Sequence, residues 1–143
     1  MKTLILTCVL LQAGALTTFA GPKADDTRDI QGIWLPVKAE LSGKPTKVEV
    51  LKGIVSLKLE AGKYEVTAES TDKGTYMMDS AAKPKTIDIT GTEGPNAGKK
   101  IPAIYELNGD TLRICYNLGG DTHPTEFKSL VGTRIFLVTY QRK

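Results

Sequence analysis

The sequence contains too few histidines and cysteines for an ordinary metal centre or a disulfide framework. It has one histidine, His123, and two cysteines, Cys8 and Cys115, among 143 residues. Catalysis by either residue type needs partner groups, and no spacing motif supplies them. We therefore expect His123 to be an ordinary loop residue, Cys115 to be a small buried side chain of a strand, and the protein to need no metal or cofactor.

Charge of one sign is not concentrated anywhere in the chain either. The 19 basic and 16 acidic residues are interspersed, without a basic block or a basic amphipathic helix. Neither nucleic-acid binding nor a helix lying on a membrane is expected. Motifs for a nucleophilic serine, a phosphate loop or a dinucleotide site are also missing, so we expect a protein that is not an enzyme. We expect Asp88 and Asp110 to bond nearby backbone N–H groups.

The longest apolar run lies near the start and is too short to span a membrane as a helix. Residues 4–11 follow the basic Lys2, and Thr18-Phe19-Ala20 fits a small-x-small cleavage site. This arrangement predicts a signal peptide over residues 1–20, cleaved near Ala20, and an exported domain over 21–143 in the periplasm or outside the cell. The mature chain would have no transmembrane segment; a retained N-terminal anchor is the alternative.

What the chain does contain is a series of short alternating apolar and polar runs, separated by turn signals roughly every eight to twelve residues. Residues 25–31 predict a short helix with Asp25 or Asp26 as N-cap, and residues 125–128 a single helical turn. Residues 91–98 are glycine-rich and indicate a flexible connection. The pattern predicts an all-β domain whose strands form a meander that closes into a barrel or a sandwich. A single antiparallel up-and-down barrel of about eight to nine strands is favoured, because closure removes exposed edges.

The first and last strands of such a barrel are neighbours. We expect Trp34, near the start of the first strand, to be buried as an end plug and to be stacked by Arg142 or, failing that, Arg134. Alternation in the first strand predicts a shared face for four apolar side chains: Ile33, Leu35, Val37 and Ala39.

The strongest local signal is Asn108-Gly109 between two apolar runs. This dipeptide favours a two-residue type I′ turn with these residues at its centre. The predicted cross-strand pairs are Leu107 with Asp110, Tyr105 with Leu112, Ala103 with Ile114, and Ile101 with Tyr116. The register places Leu112 and Ile114 inside, with Thr111 and Arg113 comparatively exposed.

Several motifs together carry a family resemblance: Ile30-Gln31-Gly32-Ile33-Trp34, residues 76–79, Lys83-Pro84-Lys85, Ile104-Tyr105-Glu106-Leu107, Cys115-Tyr116 and Pro124-Thr125-Glu126-Phe127. The chain resembles the uncharacterised secreted domain family named for planctomycetal bacteria. It departs from that pattern at His123, where arginine is expected, and at Ile33, where threonine is usual. The resemblance implies a lipocalin-like barrel in a bacterial exported protein, and it implies no activity.

One set of side chains is expected to point inward: Leu57, Tyr64, Val66, Tyr76, Met78, Tyr105, Leu112 and Ile114. These residues would either line a ligand cavity or form a filled core, since a barrel of this size can do both. The expected function is that of an exported, non-enzymatic barrel, with a small apolar ligand as its candidate partner. The alternative is a structural or protein-interaction module of the cell envelope.

Overall fold

The computed structural model describes residues 25–47, 53–54 and 56–143. The predicted signal peptide lies outside these residues. The elements are α1 (Asp26–Asp29), β1 (Gly32–Leu41), β2 (Lys44–Thr46), β3 (Ser56–Glu60), β4 (Lys63–Thr67), β5 (Asp72–Asp79), β6 (Thr86–Glu93), β7 (Lys100–Asn108), β8 (Thr111–Asn117) and β9 (Ile135–Arg142).

The sheet closes on itself. From β3 to β9 each strand pairs antiparallel with the next one in sequence, and β1 pairs with both β3 and β9. Eight strands therefore form the barrel, and β2 is an additional strand that pairs with the end of β1. This architecture confirms the predicted all-β, up-and-down barrel. Among the described residues, no helix is long and apolar enough to cross a membrane.

The short helix α1 begins where the sequence predicts it. The Asp25 side chain accepts hydrogen bonds from the backbone N–H groups of Thr27 (3.1 Å) and Arg28 (3.4 Å) in the first turn of the helix. Ile30 follows the helix and is fully buried. The N-cap therefore sets the direction in which the chain enters β1.

The predicted shared face of Ile33, Leu35, Val37 and Ala39 in β1 is wrong. Trp34, Pro36 and Ala39 are buried, whereas Ile33 is exposed and Val37 is 52% exposed. The register with β9 shifts directly after Pro36 because a β-bulge inserts one residue. After the bulge, the opposite set of alternating side chains points inward. A prediction that assumes a period of two along the whole strand therefore misses the bulge.

The β7–β8 turn differs from the prediction by one position. Asn108 pairs with Thr111, so the central residues are Gly109 and Asp110. Gly109 has a φ of +58°, and Asn108 and Asp110 are not among the residues with positive φ. Glycine in a left-handed conformation at the first central position is typical of a type II′ turn, not of type I′.

The cross-strand pairs of this hairpin are consequently displaced by two residues. Leu107 pairs with Leu112, and Tyr105 pairs with Ile114. A shift of two keeps every side chain on its predicted face, because side chains alternate with a period of two. Leu112 and Ile114 are buried as predicted, and Arg113 between them is only half-buried.

We expect Gly109→Val to lower the free energy of unfolding by about 1–2 kcal/mol, because left-handed backbone is strained for a side chain with Cβ. No atom lies within 4 Å of the position of an added Cβ, so backbone strain, not collision, is the cause. Urea denaturation measures the loss. Gly109→Asn is the control, since asparagine tolerates positive φ; an equal loss in both variants would contradict the argument.

The glycine-rich segment 91–98, which overlaps the end of β6, is hydrogen-bonded, in contrast to the expected flexible connection. The Gly91 N–H donates to the Lys99 carbonyl and the Gly98 N–H to the Gly91 carbonyl, each at 2.9 Å. A Cβ at Gly91 would overlap the backbone of Asn96. Glycine therefore allows the loop to fold closely over the end of the sheet.

The connection between β8 and β9 contains no helical turn at residues 125–128, so that prediction is wrong. The buried Ser129 side chain organises the segment. Its hydroxyl accepts from the Gly43 N–H and donates to the Ile135 carbonyl, each at 2.9 Å. These bonds attach the loop to the β1–β2 turn.

Candidate functional site

One end of the barrel interior is filled around Trp34, whose side chain is fully buried. The guanidinium carbon of Arg142 lies 4.3 Å from the centroid of the indole ring. Arg142 also donates to the carbonyls of Asp29 (2.7 Å) and Gln31 (2.8 Å). The predicted contact is therefore present, and it is made by Arg142 and not by Arg134. We call this region the plugged end.

An ionic cluster that the sequence did not suggest lies beside the plugged end. The Lys85 ammonium (2.6 Å) and the Tyr105 hydroxyl (2.8 Å) both donate to Oδ2 of Asp26, which is buried. Burial alone would raise the pKa of the Asp26 carboxyl. The hydrogen bonds from Lys85 and Tyr105, with the charge of Lys85, outweigh burial and lower the pKa below 3.8. The cluster holds α1 against the barrel wall.

Asp88 and Asp110 do not bond nearby backbone N–H groups as predicted. Asp88 lies 2.7 Å from Nε2 of His123, and Asp110 accepts from Nε of Arg142 at 3.0 Å. The Asp88–His123 pair is exposed on both sides. His123 thus has one carboxylate partner on the surface, and no group of three metal-ligating side chains occurs within the described residues.

Cys115 is fully buried, as expected for a strand cysteine. Burial raises the pKa of its thiol, an effect only partly offset by the backbone of Lys128 and the charge of Arg113. A thiol held in its protonated form is a weak nucleophile.

The other end of the barrel contains a cavity of about 300 Å³. It lies toward the position where Tyr116 pairs with Phe136, away from the pairing of Trp34 with Arg142. The walls are mostly apolar and come from β3, β4, β6, β7, β8 and β9, and Asp72 at the start of β5 also lines the cavity. The interior is therefore filled at the plugged end and hollow at the opposite end.

The predicted inward set divides between these two regions. Leu57, Tyr64, Val66 and Ile114 line the cavity. Tyr76, Met78, Tyr105 and Leu112 do not line it and pack within or against the core. Other lining residues were not predicted, among them Ile87, Ile89, Ile101, Phe136 and Tyr140.

A buried carboxylate forms the first polar group of the cavity. Asp72 is 7% exposed, and its Oδ2 accepts from the Tyr64 hydroxyl (3.1 Å) and from the Asn96 amide (2.8 Å). Its Oδ1 accepts from the Asn96 backbone N–H at 3.0 Å. Burial and the neighbouring charge of Asp72 raise the pKa of the Tyr64 phenol well above 10.

A pair of phenols forms the second polar group. The hydroxyls of Tyr116 and Tyr140 lie 3.0 Å apart, and the Tyr116 ring stacks on Phe136 with centroids 6.0 Å apart. Burial raises the pKa of Tyr140 to about 12 and that of Tyr116 well above 10, so both phenols are neutral at neutral pH. One of their two hydroxyl protons lies in the shared bond, which leaves the other free to bond a bound molecule.

A larger groove of about 700 Å³ lies outside the barrel over β3, β4 and β5. Its rim carries exposed ion pairs, Lys58 with Glu60 at 3.0 Å and Lys73 with Glu65 at 3.8 Å. Such solvated pairs contribute little binding energy, and most of the side chains along the groove are charged or polar, unlike the apolar side chains that usually enclose small ligands. The interior cavity is therefore the better candidate for a binding site.

Comparison with protein-family models, with curated proteins and with solved structures finds no match for this chain.

Proposed function

We propose that this protein is an exported, non-enzymatic barrel that binds a small, mostly apolar molecule in the cavity opposite the plugged end. The observation that carries the proposal is the cavity itself, which combines apolar walls with two small polar groups. Ligand sites typically have this composition, because apolar walls supply affinity and a few polar groups orient the ligand. The predicted signal peptide supports export, and the protonated, buried Cys115 thiol supports a non-enzymatic role.

A fluorescent probe tests the proposal. The neutral, environment-sensitive dye prodan should bind the folded protein with increased emission. Val66→Trp, which adds bulk at the cavity wall, should weaken binding at least tenfold. Met77→Trp is the matched control, because Met77 lies in β5 with its side chain exposed outside the barrel, and it should leave the affinity within twofold.

Two results would refute cavity binding. One is the absence of prodan binding to the wild-type protein. The other is an equal loss of affinity in the Val66 and Met77 variants, which would place the dye on the outer surface.

The second candidate function is a protein-interaction module of the cell envelope, and an exposed apolar patch favours it. Val131 is 83% exposed beside the less exposed Leu130, and its side chain lies against Gly43 in the β1–β2 turn. Val131→Ser would weaken binding to an envelope protein without affecting prodan binding, so the two functions are experimentally separable.

A further inference from the structure

We propose that the bound molecule carries a positively charged amine and that this amine pairs with Asp72. The inference rests on the proposed function, since it assigns the chemical class of the ligand in the same cavity. It begins from an unbalanced charge inside the barrel.

Within residues 25–47, 53–54 and 56–143, the groups that bond Asp72 are neutral. Its three hydrogen bonds come from the Tyr64 hydroxyl and from the side chain and backbone of Asn96. None of the described residues that line the cavity is a lysine, arginine or histidine. Across the described part of the chain, none of the salt bridges involves Asp72. A buried carboxylate without a cation is costly, and a cationic ligand would remove that cost.

The carboxylate still has room for a further donor. An ionised carboxylate has about four acceptor positions, and the three hydrogen bonds leave one on Oδ1. An ammonium group is a compact donor that can occupy such a position. A carboxylate or phosphate ligand would instead be repelled by Asp72.

The surrounding aromatic rings favour the same class of ligand. Tyr64, Tyr116, Phe136 and Tyr140 all line the cavity. Aromatic faces attract cations, and the attraction strengthens where water is excluded. The remaining apolar walls would contact the hydrocarbon part of the molecule, so the structure points to a small amine with an apolar body.

The position of Asn96 is built into the fold. A Cβ at Gly94, whose φ is +85°, would overlap the Thr71 carbonyl, and a Cβ at Gly91 would overlap the Asn96 backbone. Both glycines thus allow the loop to approach Asp72 closely enough for Asn96 to donate twice. The carboxylate is held in place before any ligand arrives, which reduces the entropic cost of binding.

Three eight-carbon compounds test the proposal by displacement of prodan at neutral pH: octylamine, octanol and octanoate. They share one apolar chain and differ in head-group charge. Octylamine should displace the dye at a concentration at least tenfold lower than octanol, and octanoate should be the weakest competitor. Asp72→Asn should lower the affinity for octylamine at least tenfold and leave the affinity for octanol within twofold of the wild-type value. Glu65→Gln, on the outer surface of the neighbouring strand, is the control and should change neither.

The possible failures are distinguishable. If octanol or octanoate competes as well as octylamine with the wild-type protein, the amine proposal is overturned while binding of apolar ligands stands. If prodan does not bind the wild-type protein, the proposed function itself fails. The wild-type comparison needs no variant, so it decides the question even if Asp72→Asn does not fold.

Discussion

Trp34→Ala is expected to lower the free energy of unfolding by about 3–5 kcal/mol, the range for removing a large aromatic side chain from a core. The indole is fully buried, its Nε1 donates to the Ile30 carbonyl at 2.8 Å, and the Arg142 guanidinium lies over its face. The substitution removes all three contributions and leaves a hole at the plugged end. Urea denaturation followed by circular dichroism measures the loss, because the variant has no tryptophan emission.

Trp34→Phe separates the packing contribution from the hydrogen bond. It keeps an aromatic ring beneath Arg142 and loses the donor to Ile30, so it should cost less than the alanine variant. A loss below about 1 kcal/mol for Trp34→Ala would show that the plugged end contributes little to stability, contrary to the packing argument.

Asp26→Ala is expected to cost about 2–3 kcal/mol, because it leaves the buried Tyr105 hydroxyl without its acceptor and removes the partner of Lys85. Lys85 is partly exposed and can be hydrated in the variant, which keeps the loss below that of a fully buried pair. Thermal and urea unfolding at neutral pH measure the change. Asp29→Ala, on the same helix but more exposed, is the control and should cost much less.

The same cluster makes stability dependent on pH in acid. The folded pKa of Asp26 lies below its ordinary value of 3.8, so the carboxylate stabilises the fold above that pH. The contribution is lost as the pH falls through the folded pKa. The stability difference between wild type and Asp26→Asn should therefore be largest near neutral pH and shrink below about pH 4. A difference that stays constant down to pH 2 would exclude Asp26 as the group responsible.

Local patterns in the sequence were enough to predict the plugged end and the inner face of the β7–β8 hairpin. The contact of Trp34 with Arg142 follows from closure of the barrel, which places the first strand beside the last. The burial of Leu112 and Ile114 follows from alternation along one strand. Both predictions depend on side chains that alternate between two faces with a period of two. A register error of two residues leaves each side chain on the same face, so the predicted faces remain correct.

Other features depend on contacts that alternation does not encode. Asp26 meets Lys85 across 59 positions of sequence, and Asp72 meets Asn96 across 24. Nothing in either neighbourhood distinguishes these acidic residues from ordinary turn or strand residues. The bulge after Pro36 was missed for a related reason, because an inserted residue leaves no compositional signal in a strand of mixed side chains.

The location of the cavity could not be predicted from the inward set alone. Whether an inward side chain fills the barrel or borders a space depends on its height along the barrel axis, and alternation gives only its face. Leu112 and Ile114 share one face of β8, yet Ile114 borders the cavity and Leu112 does not. The register between neighbouring strands fixes the height of each side chain along the barrel axis. The register predicted for the β7–β8 hairpin was wrong by two residues.

The pairing of β1 with β9 also makes the single tryptophan a reporter of barrel closure. Trp34 is the chain's one tryptophan. It pairs with Arg142 at the seam between β1 and β9, which are the first and last strands of the described barrel in sequence. Its emission therefore responds to the opening of that seam, whereas far-ultraviolet circular dichroism responds to all the strands together. Coincident unfolding curves from the two signals would indicate that the seam and the sheet separate in one cooperative step. Emission that changes first would show that the barrel opens between β1 and β9 while its hairpins persist.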